Sequence, residues 1–432
     1  MRLSTSLRLN AQKGLVTPYD PTLTLSLQFA TRQAYVSDFG PLPTFTNATT
    51  TARTYVGSDG LLKTAGLNVP RIEFNPITRQ CLGLLIEEQR TNLCVQSENV
   101  TAANWGKSNI SVTADQTTAP TGVVSADLVA ESAVSGFHSV TLPSGSVTSG
   151  TAYTVSVFLK KGSGSTAPSW VILALGSQFP SSAVAFNVST GSFGAFSGAS
   201  FTYAVKQYTD GWWRVSLTAT ATGTGASQPL SVIFSNNANT ASAPSYLGVV
   251  TSDIFIWGAQ FEAGSFASSY IPTTTTSLVR SADVCSITGA AFTGFYNQTE
   301  GAVALKYVRP TSASSTALAI DDGTANERMI NILSGGVERF GIVDGANVVN
   351  LDRTAGAINT VIGHAYRYKN LDFAFSANGS AVVTSITQTV PTPTQIQFGY
   401  RQSANYLNGH IHTIQYFNAI KTNAQLQTLS TP

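Results

Sequence analysis

Charge is scarce in this chain of 432 residues. Only 11% of the residues are Asp, Glu, Lys or Arg, and 24 basic against 22 acidic side chains give a formal net charge of +2. Soluble proteins typically carry about a quarter charged residues. A surface this neutral makes nucleic acid a poor partner, because affinity for phosphate backbones depends on clustered Lys and Arg. Ser, Thr, Asn, Gln and Gly fill the gap, and their hydroxyls and amides suit hydrogen bonding to sugars.

Cysteine and long apolar runs are also rare. Cys81, Cys94 and Cys285 are too few and too scattered for a disulfide framework or a metal cluster, so we interpret them as buried thiols. No apolar stretch approaches the ~20 residues of a membrane-spanning helix. The N-terminal MRLSTSLRLNAQKG lacks the apolar run of a secretory signal. We therefore expect no membrane insertion, and synthesis in the cytoplasm without a signal peptide.

Short alternating runs between Gly, Ser, Asn and Pro recur along the chain, and long amphipathic helical patterns are almost absent. This pattern predicts an all-β protein made of antiparallel sandwiches. The run DIFIWGAQF, residues 253–261, is apolar on both faces, which predicts a central strand covered on both sides. The length exceeds that of one ordinary core, so we expect two or three domains.

Residues 212–219 contain the alternation in its simplest form. One set of alternate side chains is apolar and predicts a core-facing side: Trp213, Val215, Leu217 and Ala219. The other set begins with Trp212 and Arg214 and continues with Ser and Thr. Because successive side chains of a strand point to opposite faces, we expect this second set to face solvent.

Two local patterns near the C-terminus predict specific structures. Asn378-Gly379 lies between two short apolar runs and favours a tight type I′ hairpin, in which both central residues need positive φ. The stretch from Thr422 to Gln425 matches a capping box and predicts a short terminal helix.

Three stretches resemble a family of phage and prophage virion proteins. Residues 43–93 run from a Thr-rich start through a Gly-Leu turn and an Arg-x-x-Phe strand to GLLIEEQRTNL, and look like the family's N-terminal signature. The ordered strings QSENVTAANWGKS, AYTVSVFLKKG, DGWWRVSLTATAT and IFIWGAQFEAGSFASSYIPTT resemble a carbohydrate-binding-module-like jelly roll. TEGAVALKYV and the ending YLNGHIHTIQYFNAIKTNAQLQTLS resemble a laminin-G-like, concanavalin A-like sandwich.

The resemblance implies a domain order and a location. Residues 1–92 would anchor the protein to other virion proteins and mediate oligomerisation, and two tandem antiparallel jelly rolls would follow at 93–277 and 278–432. The protein would be a fibre or decoration protein on the virion surface, on tail or head. It would form a homo-oligomer, expected to be a trimer, and adhere to host cell-surface glycans.

Aromatic rings that stack on sugar faces are the first candidates for glycan binding. Trp212 and Arg214 lie on the predicted polar strand face, Trp170 follows a loop, and His138 follows a Gly-Phe pair. These four residues are the predicted glycan-binding set. For each of them a packing or hydrogen-bonding role in the fold is the alternative left open.

A turn rich in oxygen ligands contains Asp321, Asp322 and Glu327, and Ca²⁺ binds such groups in related sandwiches. The pattern is not an EF-hand loop, so a solvated turn is the preferred interpretation. We therefore expect no cofactor, with calcium at these three residues as the alternative.

No motif for catalysis is present. Glu87 and Glu88 are adjacent, so on a strand they point to opposite sides and cannot act as a paired acid and base; we expect them to pair with Arg90 or with basic groups of a neighbouring copy. Nucleophile elbows, phosphate loops and dinucleotide fingerprints are missing. The sequence therefore favours a non-catalytic protein with no catalytic residues. The alternatives are a polysaccharide-degrading tailspike enzyme and a capsid-stabilising cement protein without sugar binding.

Overall fold

The computed structural model describes residues 20–47, 53–164, 166, 170–198, 200–236 and 240–432. In these ranges the regular structure is almost entirely antiparallel strand, with three short α-helices, so the predicted all-β class is confirmed. No helix within the described ranges is long and apolar enough to cross a membrane. The first 19 residues of the predicted anchoring region lie outside the described residues.

The strands and helices follow one another in short segments. The first strands are β1 (Leu23–Leu27), β2 (Ser37–Phe39) and β3 (Thr44–Thr46). The middle of the chain contains β4 (Thr54–Val56), β5 (Leu62–Thr64), β6 (Ile72–Phe74), β7 (Cys81–Ile86), β8 (Arg90–Asn92), β9 (Gly106–Ser108), β10 (Ile110–Thr118), β11 (Val124–Glu131), β12 (Ser135–Gly136), β13 (Ser139–Thr141), β14 (Gly145–Val147), β15 (Ala152–Lys161), β16 (Trp170–Leu175), β17 (Ala183–Asn187), β18 (Ser192–Ser197), β19 (Phe201–Gln207), β20 (Trp213–Thr220), β21 (Gly225–Ser227), β22 (Leu230–Phe234), β23 (Tyr246–Leu247), β24 (Asp253–Ala263) and β25 (Leu278–Arg280). The last strands are β26 (Val284–Thr288), β27 (Glu300–Val308), β28 (Ser315–Asp321), β29 (Glu327–Ser334), β30 (Val337–Asp344), β31 (Asn347–Thr354), β32 (Ile362–Lys369), β33 (Phe373–Ala377), β34 (Val383–Ser385), β35 (Gln395–Phe398) and β36 (Gly409–Phe417). The helices are α1 (Phe29–Arg32), α2 (Gly289–Thr293) and α3 (Asn423–Leu429).

The chain divides into two compact units. The central unit is Phe45–Val284, and the split unit combines the described residues up to Thr44 with Cys285–Pro432. The split unit arises because β1 pairs antiparallel with β36, close to the other end of the sequence. The predicted anchoring region of residues 1–92 is therefore shared between the two units. Its role as an anchor, and the boundaries predicted at residues 92 and 277, stay predictions.

The central unit contains a sandwich of two six-stranded antiparallel sheets. Sheet 1 has the order β10-β11-β24-β15-β20-β19, and sheet 2 has the order β18-β17-β16-β22-β13-β9. Between them lies a core of alternate strand residues, among them Val140, Val155, Val157, Leu173, Val215, Leu217, Ala219, Val232 and Phe261. The core-facing set predicted for β20 is confirmed, with Trp213 packed against this core and half-buried.

A second apolar layer covers the other face of sheet 1. It consists of Val56, Leu62, Ala119, Ala126, Phe158, Tyr208, Trp212, Phe255, Trp257 and Tyr270. Strand β24 is consequently buried along all but its last residue, as its two apolar faces predict. The prediction that Trp212 and Arg214 face solvent is wrong, because chain segments from outside the two sheets pack over this face.

The split unit also contains two antiparallel sheets. One has the order β2-β1-β36-β27-β32-β33-β34, and the other contains β26-β35-β28-β29-β30-β31. Phe340 of β30 stacks on Tyr366 of β32, with ring centroids 4.1 Å apart. Small side chains on the first sheet, such as Ala304 and Ala365, leave room for Leu426 of α3.

Both local predictions near the C-terminus are confirmed. Thr422 and Gln425 form the reciprocal capping box at the start of α3, with Gln425 N donating to Thr422 Oγ1 (3.3 Å). Asn378 and Gly379 have φ values of 52° and 72°, and Ser380 N donates to Ala377 O (3.0 Å). Two successive positive φ values inside such a turn define type I′.

Candidate functional site

The outward face of sheet 2 is lined by small side chains at one end. Strands β13, β22 and β16 lie side by side there, with Thr141 opposite Ser231 and Ser231 opposite Ala174. Their strand neighbours point the other way, into the core, because the side-chain period of a strand is two. The sequence therefore places hydroxyl and methyl groups where a larger side chain would fill the surface.

A cleft of about 500 Å³ opens at this end of the sheet. The residues that line it are Thr141, Ser144, Gly176, Ser177, Ala226, Gln228 and Ser231. Thr141 Oγ1 and Ser231 Oγ share a hydrogen bond of 3.0 Å. A Cβ on Gly176 would lie 1.8 Å from the carbonyl oxygen of Gln228, so only glycine lets these two chain segments approach this closely.

The chemistry of the cleft is polar and uncharged. Its side chains offer hydroxyl groups and one amide, which can both donate and accept hydrogen bonds. None of these seven residues is ionisable, so the lining contains no carboxylate pair of the kind that hydrolyses glycosidic bonds. The groups match an uncharged ligand with many hydroxyls better than an anion or a cation.

Of the four predicted glycan-binding residues, only Trp170 lies on this face. It begins β16 and shares the outward side with Ala174, four residues further on, because their positions differ by an even number. This spacing corresponds to about 13 Å along the strand at ~3.3 Å per residue. Trp170 is half-buried, and Ile172, which lies between it and Ala174 on the same side of the strand, is 1% exposed.

The other three predicted residues are buried and satisfied within the fold. Trp212, 1% exposed, donates from Nε1 to Thr118 O (2.9 Å). Arg214, 8% exposed, donates to Ser268 O (2.7 Å). His138 is fully buried, and its ring nitrogens lie 2.7 Å from Asn109 O and 3.2 Å from Tyr246 O. The prediction that these side chains are accessible to a glycan is wrong, because all three are buried and their nitrogens bond to backbone carbonyls of the same unit.

The predicted calcium candidates do not converge on one point. Each carboxylate has its own donor: Gln395 Nε2 to Asp321 (2.7 Å), Thr324 N to Asp322 (2.7 Å) and Thr392 N to Glu327 (2.8 Å). Among the described residues, no group of three His, Cys, Asp or Glu side chains could hold a metal ion. Asp321 is fully buried, so the prediction of a solvated turn is wrong at this residue, and burial raises the pKa of its carboxyl group.

A buried charge cluster in the central unit was not predicted. It contains the guanidinium groups of Arg53, Arg71 and Arg280 and the carboxylates of Glu87 and Asp283, and all five residues are at most 4% exposed. Burial alone would raise the pKa of Glu87, but the charges of Arg280 and Arg71 hold it well below its usual range. The string GLLIEEQRTNL, which carries Glu87, therefore contributes to a structural network.

The partners predicted for the two adjacent glutamates are half right. Glu88 pairs with Arg90 (2.6 Å), as predicted. Glu87 instead pairs with arginines of the same chain, 16 and 193 positions away, Arg71 (2.7 Å) and Arg280 (3.0 Å). No sequence motif joins partners this distant.

A second buried polar cluster lies in the split unit. Glu338 accepts hydrogen bonds from Tyr307 (2.7 Å) and Arg309 (3.1 Å), and lies 3.2 Å from His364 Nε2. All four residues are at most 2% exposed, so no ligand reaches them. Burial would raise the pKa of Glu338, but the hydrogen bonds from His364 and Tyr307 and the charge of Arg309 outweigh it and lower the pKa to about 2.

This depressed pKa predicts acid sensitivity of the split unit. The carboxylate of Glu338 stabilises the fold fully above its ordinary pKa of 4.5, and this contribution is lost as the pH falls toward about 2. Glu338→Gln should lower stability at neutral pH and reduce the further loss between pH 4.5 and 2. Hydrogen exchange of the backbone amides of β30, corrected for the intrinsic effect of pH on exchange, measures the stability of the split unit at each pH. Parallel pH profiles for both proteins would contradict the assignment.

Comparisons with known proteins identify no family. No family model matches the chain, and no curated protein matches it. Among solved structures, a leech intramolecular trans-sialidase is 16% identical over 34% of this chain, with a TM-score of 0.28, and the match covers 26% of the enzyme. The tandem CBM22 domains of Paenibacillus barcinonensis Xyn10C match over 76% of this chain and 95% of theirs, with 10% identity and a TM-score of 0.24. The tripod from the baseplate of bacteriophage Tuc2009 matches over 74% and 100%, with 12% identity and a TM-score of 0.19.

TM-scores this low establish neither a common topology nor a common function. The chain spans about a quarter of the length of the trans-sialidase that it matches.

Proposed function

We propose that this protein is a non-catalytic structural component of a phage particle that binds neutral host-surface glycans in the cleft on sheet 2. The observation that carries this proposal is the lining of the cleft, which offers hydroxyl and amide groups and no charge. Sugars present the same kinds of group, and a partly exposed indole on the same sheet face offers a surface for stacking. Trp170 supplies that indole.

The proposed location on the virion is supported by the sequence resemblance of residues 43–93 and of the two sandwiches that follow. The chain would be attached to other virion proteins through its N-terminal region. Gold-labelled antibody against the purified protein, applied to intact particles, tests this proposal. Labelling of the tail or the head supports the proposal and identifies the attachment site. Particles that stay unlabelled, and whose mass spectra contain no peptide of this chain, contradict it.

Removal of the one amide in the cleft should weaken glycan binding. Gln228→Ala deletes a hydrogen bond worth about 0.5–1.5 kcal/mol, so we expect affinity to fall about 2- to 13-fold. Trp170→Ala should cause a similar loss through reduced stacking. A glycan array of host capsule and lipopolysaccharide fragments identifies the ligand, and isothermal titration calorimetry then gives the affinities.

The matched control for this experiment is Gln116→Ala. Gln116 is an exposed amide on β10 of sheet 1, away from the cleft, and its removal should leave affinity unchanged. Equal affinities of the Gln228→Ala and Gln116→Ala proteins would contradict the proposed site. If the protein binds no neutral glycan on the array, the alternative role as a capsid-stabilising cement protein without sugar binding is favoured.

The enzyme alternative is tested directly with the same polysaccharides. The proposal predicts no new reducing ends after incubation of host capsule or lipopolysaccharide with the purified protein. The uncharged lining of the cleft supports this expectation, since hydrolysis requires a positioned acid and base. Sustained release of reducing ends would establish a polysaccharide-degrading tailspike instead.

A further inference from the structure

Strand β19 is the last strand of sheet 1 on one side. It pairs with β20 over seven consecutive residue pairs, from Phe201 opposite Ala219 to Gln207 opposite Trp213, without a break in register. Within the described part of the chain, no strand pairs with its other side. A long regular edge strand presents a row of backbone groups that another strand can pair with.

The opposite edge of sheet 1, formed by β10, is in contrast protected against pairing with another strand. Strand β10 is irregular there, because its register with β11 shifts between Thr113 and Thr117. Asp115 lies inside this irregularity with a φ of 55° and an exposed side chain. Bulges and charges of this kind prevent edge-to-edge association. Strand β19 has no such bulge in its regular seven-residue ladder.

The single charge on β19 does not protect the edge either. Lys206 is half-buried, and its ammonium group lies 5.5 Å from the centre of the Tyr208 ring, on the face of the sheet. The exposed residues of the strand are uncharged, and two of them are large and apolar, with Tyr203 39% and Val205 37% exposed. The edge is therefore open, neutral and partly apolar.

An aromatic patch continues from this edge onto the edge strand of sheet 2. Phe193 of β18 contacts Tyr203 of β19, with ring centroids 4.4 Å apart. Phe201 lies 5.7 Å from the same ring, and Phe196 of β18 is 63% exposed. Phe193 and Phe201 are half-buried against the core, so Tyr203 and Phe196 supply the exposed part of the patch, and exposed aromatic side chains are typical of protein interfaces.

We propose that β19 pairs antiparallel with β19 of a second copy of this chain, so that two six-stranded sheets join into one and the protein is a dimer rather than the trimer that the resemblance implies. A strand paired with itself about a two-fold axis meets its own sequence in reverse, which makes the contact self-complementary. With Ala204 opposite its own copy, Lys206 lies opposite Thr202, and no like charges meet. The exposed residues of β19 are uncharged, so a charged partner strand would find no opposite charges to pair with. A second copy of β19 avoids this cost because its exposed residues are uncharged too.

A charge at the centre of the strand tests the contact. We expect the wild-type protein to sediment at twice its chain mass of 45.4 kDa, and Ala204→Asp to sediment as a monomer, because two carboxylates would face each other across the axis. Ala114→Asp makes the same change at an exposed alanine of β10 and should leave the dimer intact. A monomeric or trimeric wild type, or a dimer that survives Ala204→Asp, would overturn the proposal.

Cysteine cross-linking locates the two-fold axis independently. Opposed Cα atoms in antiparallel strands lie about 4.5–5.5 Å apart, within the range that a disulfide spans. One of the single variants Tyr203→Cys, Ala204→Cys and Val205→Cys should therefore form a covalent dimer on mild oxidation, and the buried native cysteines should not. No cross-link in any of the three variants would count against the pairing. Neither experiment involves the cleft, so the outcome is independent of glycan binding.

Discussion

Replacement of Asp283 by Asn is expected to lower the free energy of unfolding of the central unit by about 3–5 kcal/mol, the usual cost of removing one partner from a buried ion pair. Asp283 is fully buried and accepts hydrogen bonds from Arg71, Arg53 Nη2 (3.2 Å), Asn47 Nδ2 (3.1 Å) and the backbone of Glu87 (3.0 Å). The substitution keeps the shape but leaves three arginines of the cluster with one carboxylate. Their charges cannot reach water, so the cost stays with the folded state.

The measurement can be restricted to this unit. All five tryptophans of the chain lie between residues 105 and 257, inside the central unit, so tryptophan fluorescence during urea denaturation reports on its unfolding. Asp59→Asn is the matched control, because Asp59 pairs with Lys63 (2.6 Å) while both side chains are more than two-fifths exposed. Exposed pairs contribute under about 1 kcal/mol. Equal losses for both variants would show that the buried cluster does not stabilise the unit.

Truncation of Trp212 to Ala should cost about 3–5 kcal/mol as well, through the cavity that it leaves. The indole is 1% exposed and packs within the apolar layer on the outer face of sheet 1. It also donates a hydrogen bond to Thr118 O (2.9 Å). Trp212→Phe keeps most of the apolar contact and should lose much less, which provides a folded variant if the alanine protein is unstable.

Substitutions of Trp212 should affect stability, whereas substitutions of Trp170 should affect glycan affinity. Variants of Trp212 should lose stability and keep glycan affinity in the folded fraction, because the residue lies on the sheet away from the cleft. Trp170→Ala should lose affinity with a smaller loss of stability, because the indole is only half-buried. Denaturation and calorimetry on the same preparations separate the two roles. Loss of affinity in Trp212→Phe would reverse the assignment.

Strand periodicity correctly predicted which side chains share a face of a strand. It did not predict which of those faces other chain segments cover. The alternation in β20 correctly placed Val215 and Leu217 in the core between the sheets. The same alternation assigned Trp212 and Arg214 to solvent, which is wrong. A period of two identifies side chains that share a face, but it contains no information about a second layer that covers this face from distant segments such as Val56 and Leu62.

The candidate site was only partly accessible to sequence reasoning. Trp170 was among the predicted residues, whereas Thr141, Gln228 and Ser231 carry no distinguishing pattern and meet only through strand pairing. The buried charge cluster escaped prediction for the same reason, since Arg71 and Asp283 are 212 positions apart. By contrast, the capping box at Thr422 depends on residues within one helical turn and was predictable from them alone.

The pairing of β1 with β36 can form only after almost the whole chain has been synthesised. Asp20 and Lys421, which form an ion pair beside these strands, are 401 positions apart in the sequence. At about 5–20 residues per second, a ribosome needs about 20–80 s to supply the second half of this contact after the first. During that interval the nascent strand Leu23–Leu27 can pair with β2 on one side but lacks β36 on the other, while the whole of Phe45–Val284 emerges and can fold before β36 is made. The free edge of β1 is therefore open to chaperones or to other strands until β36 is made.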